Sequence, residues 1–217
     1  MIYLCYAIMI IVPYLLCGIN TAIIVTKIKT GEDIRTLGSG NAGLTNTLRT
    51  QGKIAALFVL LGDVLKGTLS ILIVRFSFLW LTGTDTANPD NMMTYVGFAA
   101  AVAAIIGHVF PIYFGFKGGK AVATAAAVAL MMDWRVFLSA FAVFAVVAAL
   151  TRTASVSSMA ASIAVAAMTP VFTKNPVLIS LGIFTCLLVL LMHRSNIRRL
   201  IQGTEPKFHF GKHPEKE

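Results

Sequence analysis

The sequence predicts an all-α fold, a polytopic membrane helix bundle of about seven transmembrane helices. The first observation behind this prediction is composition. Hydrophobic residues make up 57% of the 217-residue chain and charged residues only 12%, whereas soluble domains average about 25% charged residues. The second is that apolar runs recur from end to end. We therefore expect one integral membrane domain over residues 1–208 and a polar tail over residues 209–217.

Seven apolar runs are the candidate spans. They are Ile2–Val25, Ile54–Leu81, Met93–Phe114, Ala121–Met132, Val136–Leu150, Val156–Phe172 and Val177–Met192. The first lacks a basic n-region and a small-residue cleavage site, so we interpret it as a retained span and not as a signal peptide. The fourth, fifth and seventh are shorter than the roughly 20 residues of a full crossing. They are short crossings, or the fourth and fifth form one re-entrant hairpin that turns at "MDWR".

Basic residues are distributed unevenly between alternate connections. Fourteen lie in one set, which includes the loop of Lys117 and Lys120, and two, Arg135 and Lys174, lie in the other. The positive-inside rule places the N-terminus outside and the C-terminus in the cytoplasm, for seven crossings or for five. This bias and anionic lipid headgroups account for the net charge of +9. No nucleic acid partner is expected.

The first unusual connection on the cytoplasmic side is "TLGSGNAGLTNTLRTQGK", residues 36–53. Its candidate binding residues are Gly38, Ser39, Gly40, Asn41, Thr45, Asn46 and Arg49. The glycines allow left-handed or closely approached backbone, and the short polar side chains supply hydrogen-bonding groups. Arg49 can reach back toward Ser39 as a bidentate oxyanion donor. The pattern fits an oxyanion site, or an ordinary turn that caps a helix.

The second connection contains Lys117, Gly118, Gly119 and Lys120 directly before an apolar helical run. Glycine amides and a lysine at a helix N-terminus are typical of a phosphate site. The spacing does not fit a Walker A loop, because three residues and not four lie between Gly115 and Gly119, and Ala121 follows the lysine where the motif has Ser or Thr. The alternative is a pair of interfacial lysines that extend to the membrane surface.

The third connection is "HRSNIRRLIQGTEPKF", residues 193–208. His193 and Asn196 share a helix face, and Glu205 follows Gly203, which can turn the chain back toward them. The arginines of this segment, among them Arg199, also fit binding to anionic lipid headgroups. The chain has no H-E-x-x-H motif, and the pair His209 and His213 lies in the polar tail, so we expect neither a metal nor a cofactor.

Asp63, Lys66 and His108 are titratable residues inside the predicted spans. Asp63 and Lys66 are one turn apart in the second span, where ionisable residues usually pair and face the protein interior. We interpret them as a structural ion pair, with the sharper hypothesis that they hold the base of the first loop. His108 ends the third span near Pro111, and with His193 it indicates a polar site at one membrane depth.

Three loops with oxyanion donors indicate that a small phosphorylated substrate meets a lipidic one at the membrane surface. The stretches "GSGNAGLTNTLR", "GHVFPIYFGFKGGKAVAT" and "HRSNIRRLIQGTE", with "GDVLKG", resemble the signature segments of the bacterial acyl-phosphate:glycerol-3-phosphate acyltransferase family, PlsY, in order and spacing from about Ile2 to Glu205. Two residues depart from that pattern. Ala121 stands where the family usually has glycine, and Leu44 where a small residue is usual. We expect activity to survive the alanine methyl.

The resemblance implies transfer of a fatty acyl group from acyl phosphate to the 1-hydroxyl of glycerol 3-phosphate. The products would be lysophosphatidate and inorganic phosphate, made at the cytoplasmic face of a bacterial inner membrane by a protein we expect to be monomeric. The positions it implies for catalysis are Ser39, Arg49, Lys120, His193, Asn196 and Glu205. Those we expect around the substrates and their phosphates are Gly38, Gly40, Asn41, Thr45, Asn46, His108, Lys117, Gly118, Gly119 and Thr124.

The donor is already activated, so no covalent acyl-enzyme is required, and positioning and charge neutralisation can supply much of the catalysis. His108, His193 or Glu205 could accept the hydroxyl proton, or the donor's own phosphate could, which we favour.

Two other functions fit the loops less well. A transporter would have polar residues at mid-membrane and internal repeats, and a phosphotransferase would have more carboxylates for a divalent metal.

Overall fold

The computed structural model describes residues 2–83 and 93–207, and the predicted tail over 209–217 lies outside them. The described residues form ten α-helices: α1 (Ile2–Gly18), α2 (Thr21–Thr30), α3 (Leu44–Gln51), α4 (Lys53–Thr82), α5 (Met93–Val109), α6 (Val122–Met132), α7 (Trp134–Thr151), α8 (Ala154–Phe172), α9 (Pro176–Met192) and α10 (Arg194–Ile201). Single 3₁₀ turns cover Ile34–Thr36 and Ile112–Phe114. The all-α prediction is confirmed.

Each predicted span contains a helix, with bounds close to those read from the sequence. Within the described ranges, five helical stretches are long and apolar enough to cross a membrane, and a sixth is obtained if α9 and α10, bent by 55°, form one span. Helix α6 has only 11 residues and falls short of this criterion. The number of seven crossings and the orientation of the termini stay predictions.

The first span is broken, which the sequence analysis did not anticipate. Helix α1 ends at Gly18 and α2 begins at Thr21, with Asn20 between them in extended conformation. The Asn20 side chain accepts a hydrogen bond from the Ile23 amide at 3.0 Å and so caps α2. The polar group that breaks the helix is fully buried, so it faces protein.

Small residues allow the central helices to pack closely. The core contains α5 residues such as Ala100, Ala104 and Ile105, which lie against α1, α4, α6 and α9. A methyl group on Gly107 would collide with the backbone of Tyr14 on α1. Contacts between small residues are the usual means of holding helices together where no water is present to drive apolar burial.

The three unusual connections meet at one end of the bundle, which we call the loop end. Ser155 at the start of α8 donates to Glu205 at 2.7 Å, Lys120 donates to Asn196, and Gly119 packs against Ala42. The opposite end, which we call the far end, contains the α6–α7 turn at Asp133 and the last residues of α8. The prediction that the polar connections share one side is confirmed.

Candidate active site

Lys120 lies at the centre of a hydrogen-bonded cluster at the loop end. Its ammonium group donates to the Asn196 side-chain oxygen, and the Asn196 amide nitrogen donates to Glu205 Oε1 at 2.6 Å. Asn196 is buried on α10, the short helix that turns away after His193. The fold therefore brings together three predicted residues that are up to 85 positions apart in the chain.

Glu205 accepts three hydrogen bonds. Besides Asn196, Ser155 donates to Oε1 at 2.7 Å and Arg199 Nε donates to Oε2 at 2.7 Å. Burial alone raises the pKa of Glu205, but these three donors together lower it below its ordinary value. The carboxylate is therefore ionised, and both of its oxygens accept hydrogen bonds. Because Oε1 accepts from the amide nitrogen of Asn196, the amide oxygen of Asn196 is directed toward Lys120.

The charge around Lys120 is predominantly positive. Burial lowers the pKa of Lys120 to about 8, Glu205 opposes this effect, and the Arg199 and Arg49 guanidinium groups add to it. Lys120 is half-buried, and two nearby arginines disfavour its charged form, so an incoming anion would stabilise the site. Arg49 itself is exposed at the end of α3, where it can reach such an anion.

His193 forms the junction between α9 and α10 and is buried. Its Nδ1 lies 2.7 Å from the Val189 carbonyl oxygen, so this nitrogen carries the proton. In the neutral ring Nε2 is then an acceptor. Arg199, interpreted from the sequence with the lipid-binding arginines, is instead engaged by Glu205.

Asn46 organises the first loop from inside. It is almost fully buried, accepts the Ser39 amide at 2.9 Å, and donates to the carbonyl oxygens of Ile34 and Leu37 at 3.2 and 2.9 Å. Asn46 therefore holds the first loop together, and its contact with substrate stays a prediction. Gly38 and Gly40 have positive φ as expected, and they lie exposed beside Ser39. Asn41 and Thr45 are half-buried.

The amides of Gly118 and Gly119 do not form the predicted phosphate seat. They donate to the carbonyl oxygens of Val109 and His108 at 3.0 and 3.2 Å, which closes the loop onto the end of α5. Any side chain would be excluded at both positions, since added methyl groups would collide with His108. The glycines are needed for close packing, and Lys117 is exposed on the outer side of the loop.

His108 and Thr124 are also interior residues. His108 Nδ1 lies 3.1 Å from the Thr124 hydroxyl and 3.8 Å from Asp63, and both residues are buried. Their contact with substrate stays a prediction. Asp63 pairs with Lys66 at 2.8 Å, and Lys66 donates to the Ile19 carbonyl at 2.9 Å in the broken first span.

That ion pair supports the first loop indirectly, as the sharper hypothesis proposed. Asp63 accepts from Thr21 at 3.2 Å, and the neighbouring Asn20 donates to the Ala42 carbonyl at 3.3 Å. Ala42 in turn lies against Gly119. The buried polar groups of α1, α2 and α4 thus lie beneath both loops.

Sequence reasoning missed Ser155, Asn20 and Arg35. Ser155 belongs to a run of serines at the start of an apolar helix, a signal that was present but not used. Asn20 stands in a hydrophobic run at a position suited to a helix cap. Arg35 had no distinguishing signal, because its role depends on contacts 79 and 82 residues away.

A multi-pass helical bundle whose loops hold a cationic, hydrogen-bonded cluster at one end belongs to the class of membrane proteins that bind an anion at the membrane surface. Over residues 7–203 the sequence matches the family described as glycerol-3-phosphate acyltransferase. The chain belongs to this family. It is an integral, multi-pass membrane protein and a glycerol-3-phosphate acyltransferase by family, which separates it from the transporter and phosphotransferase alternatives.

Relatives and solved structures agree with this assignment. The glycerol-3-phosphate acyltransferase of Trichormus variabilis is 44% identical, with 94% of this chain and 92% of that protein covered. The protein of the same name from Clostridioides difficile is 41% identical, with 93% and 95% covered. A crystal structure of PlsY (YgiH), an integral membrane glycerol 3-phosphate acyltransferase, in its glycerol 3-phosphate form matches with a TM-score of 0.79 at 33% identity, covering 93% of this chain and 94% of that chain. The lysophosphatidic acid form of that protein matches at 0.76 and 31%.

Proposed function

We propose that this protein transfers a fatty acyl group from acyl phosphate to the 1-hydroxyl of glycerol 3-phosphate. The products are lysophosphatidate and inorganic phosphate. The observation that carries the proposal is the cationic cluster around Lys120, which Asn196 and Glu205 orient and which Arg49 and Arg199 surround. Such a cluster suits a reaction with one phosphorylated substrate and one phosphate leaving group.

In the reaction, the hydroxyl oxygen attacks the acyl carbon, the bond between that carbon and the bridging phosphate oxygen breaks, and phosphate departs. Lys120 and Arg49 neutralise the departing phosphate, while the exposed Ser39 loop holds the donor. The uncapped starts of α3 and α6, at Gly43 and Ala121, leave first-turn amides that can face anions. His193 and Asn196 bind the glycerol part of the acceptor.

The donor's phosphate accepts the hydroxyl proton. Glu205 is a poor base, since three donors engage it and its pKa is below the ordinary value. His108 is buried beside Thr124, Asp63 and Gly119, so protein groups enclose its ring. His193 Nε2 is the one side-chain alternative among the three bases considered, and a His193→Gln variant that keeps a normal pH profile would favour the phosphate.

The orientation and span count form part of the same proposal. The α6–α7 turn is level with the end of α8, because Arg135 donates to the Phe172 carbonyl at 3.2 Å. Helix α8 itself starts at the loop end with Ser155. This supports a short but complete crossing by α6, hence seven crossings, with the loop end in the cytoplasm of a bacterium.

The test is an activity assay of the purified protein in lipid, where we expect it to act as a monomer. The assay supplies glycerol 3-phosphate with either palmitoyl phosphate or palmitoyl-coenzyme A. We expect lysophosphatidate from palmitoyl phosphate and none from the coenzyme A ester. Product from the coenzyme A ester alone would keep the enzyme class and overturn the donor. No product from either donor in folded protein would overturn the proposed reaction.

A further inference from the structure

Arg35 links the first loop to the second. Its guanidinium group donates from Nη1 to the carbonyl oxygens of Phe114 at 2.7 Å and Lys117 at 3.1 Å. The same group pairs with Asp33, from Nη2 at 2.7 Å and from Nε at 3.0 Å. Five hydrogen-bonding positions in a rigid plane allow one arginine to hold two backbone oxygens and a carboxylate together.

The first-loop side of this link leads to Ser39. Arg35 belongs to the 3₁₀ turn Ile34–Thr36, which Asp33 caps by accepting the Arg35 amide at 2.9 Å. Ile34 is completely buried, and its carbonyl accepts from Asn46, the residue that fixes the Ser39 amide. The position of Arg35 is therefore rigidly related to the position of Ser39.

The second-loop side leads to Lys120. Lys117, whose carbonyl Arg35 holds, is three residues before Lys120, and the intervening Gly118 and Gly119 are fixed by their hydrogen bonds to Val109 and His108. The segment is under strain, because Phe116 and Ala121 both have positive φ, at 58° and 57°. A strained loop keeps one conformation only when its surroundings hold it there.

We infer that Arg35 is a positioning residue that holds the Ser39 loop and the Lys120 loop in the relative arrangement required for acyl transfer. The inference rests on the proposed function for its kinetic consequence, but the physical link between the loops does not depend on it. Arg35 and Asp33 are both partly exposed at the loop end.

The chain contains a matched control. Asp133 and Arg135 repeat the same Asp-x-Arg arrangement at the far end, with the arginine amide and guanidinium donating to the aspartate and then to the Phe172 carbonyl at 3.2 Å. Arg135→Gln removes the same kinds of contact as Arg35→Gln. Besides its location, the far-end pair differs in that Arg135 holds one carbonyl oxygen and lies over the Phe172 ring, whereas Arg35 holds two carbonyl oxygens.

The experiment compares Arg35→Gln with Arg135→Gln in lipid. We expect kcat/KM for glycerol 3-phosphate to fall by about tenfold or more in Arg35→Gln, because small displacements of positioning groups cost much of the rate. Arg135→Gln should keep the wild-type value. Arg35→Lys should recover part of the loss, since an ammonium group can donate to one carbonyl but cannot span both.

A second readout follows the loop itself. Hydrogen exchange of the amides in residues 112–121 should become faster in Arg35→Gln and stay unchanged in Arg135→Gln. If Arg35→Gln does not fold, Asp33→Asn serves in its place, since it keeps the guanidinium and removes the partner that orients it.

The outcomes separate the inference from the proposed function. The positioning role would be overturned if Arg35→Gln and Arg135→Gln both kept the wild-type kcat/KM and the wild-type amide exchange. It would also be overturned if both variants lost the same fraction of kcat/KM. If the wild-type protein makes no lysophosphatidate, the proposed function fails. The exchange comparison then still decides whether Arg35 joins the loops.

Discussion

The two ends of the bundle contain the same local motif with different consequences. At the loop end, Arg35 pairs with Asp33 and reaches the carbonyl oxygens of the Lys120 loop. At the far end, Arg135 pairs with Asp133, reaches the Phe172 carbonyl and lies 5.0 Å above the Phe172 ring. In both cases the arginine lowers the pKa of its aspartate by hydrogen bonding.

What differs is the segment that each arginine holds. The far-end pair joins α7 to the end of α8, and the described residues around it include no cluster comparable to that of Lys120. The loop-end pair joins two segments that each supply a candidate catalytic residue. The two ion pairs have similar geometry, so any difference in function comes from the segments that they restrain.

Removal of a lysine at each end should give the largest contrast. Lys120→Ala should reduce kcat by about 10²–10³-fold, because it removes the buried cation that faces the departing phosphate. Lys174→Ala, a change at an exposed far-end position, should leave activity unchanged. Steady-state kinetics in lipid would measure both, with melting temperatures to verify folding. Comparable losses in the two variants would contradict the assignment of the site to the loop end.

The acidic residues give the next contrast. Glu205→Gln replaces a carboxylate that accepts three donors, and hydrogen bonds to charged groups contribute about 1.5–3 kcal/mol each. We expect a lower melting temperature and a loss of activity, because Asn196 is no longer held toward Lys120. Asp133→Asn should also lower the melting temperature but keep activity. An inactive Asp133→Asn variant would show that the two ends are coupled.

The pH dependence should identify the titrating group at the loop end. Since burial lowers the pKa of Lys120 to about 8, kcat/KM should fall as pH rises through that value and the cation is lost. Lys120→Arg should remove this fall, because a guanidinium stays charged. A wild-type profile that is flat from pH 7 to pH 9 would, given the pKa of about 8, contradict a requirement for the charged lysine.

Deprotonation of Lys120 should have the opposite effect on the stability of the fold. The folded pKa of Lys120 is below the model-compound value of 10.5, so the unfolded chain binds more protons between the two values. The free energy of unfolding therefore gains from this group as pH rises across that window. Activity and stability should change in opposite directions, which distinguishes titration of Lys120 from simple alkaline unfolding.

Relief of strain at the start of α6 should have the smallest effect. Ala121 begins this helix with φ 57°, whereas Asp133 ends it in relaxed extended backbone. A left-handed conformation costs an L-residue about 1–2 kcal/mol, and glycine avoids this cost at the expense of some chain entropy. Ala121→Gly should raise the melting temperature slightly and keep activity. Ala125→Gly, inside the same helix, should lower it.

The strain at Ala121 also bears on the glycine that the family usually has at this position. The resemblance indicated that relatives usually have glycine at this position, and alanine was expected to be tolerated because its methyl group is small. The structure gives a different reason for the preference. The backbone, and not the space around the side chain, favours glycine there.

Hydropathy located the spans well because burial in lipid imposes a long apolar run on every crossing helix. The bounds of α4 and α9 differ from the prediction by single residues. It did not find the break between α1 and α2, since Asn20 is one polar residue in a run that remains apolar on average. A window average cannot detect a single buried cap.

The sequence analysis named Lys120, Asn196 and Glu205, and the fold joins these three residues. It also named Asn46, His108 and Thr124, which are buried and bond to other protein groups. The roles of all six toward substrate stay predictions. The same amide, imidazole or hydroxyl serves a substrate or a scaffold equally well, and only its direction and burial distinguish the two.

The chain alone predicts a helical membrane protein with polar loops gathered on one side, because long uncharged runs and the asymmetry of lysine and arginine are properties of the sequence. The packing of the helices settles which amides are occupied, which histidine lies beside Asp63 and Thr124, and which arginine joins the loops. These depend on contacts between residues far apart in the chain, such as Arg35 with Lys117 and Ser155 with Glu205. Hydrogen-bond partners at that separation are set by how the helices pack, and no local pattern in the sequence records them.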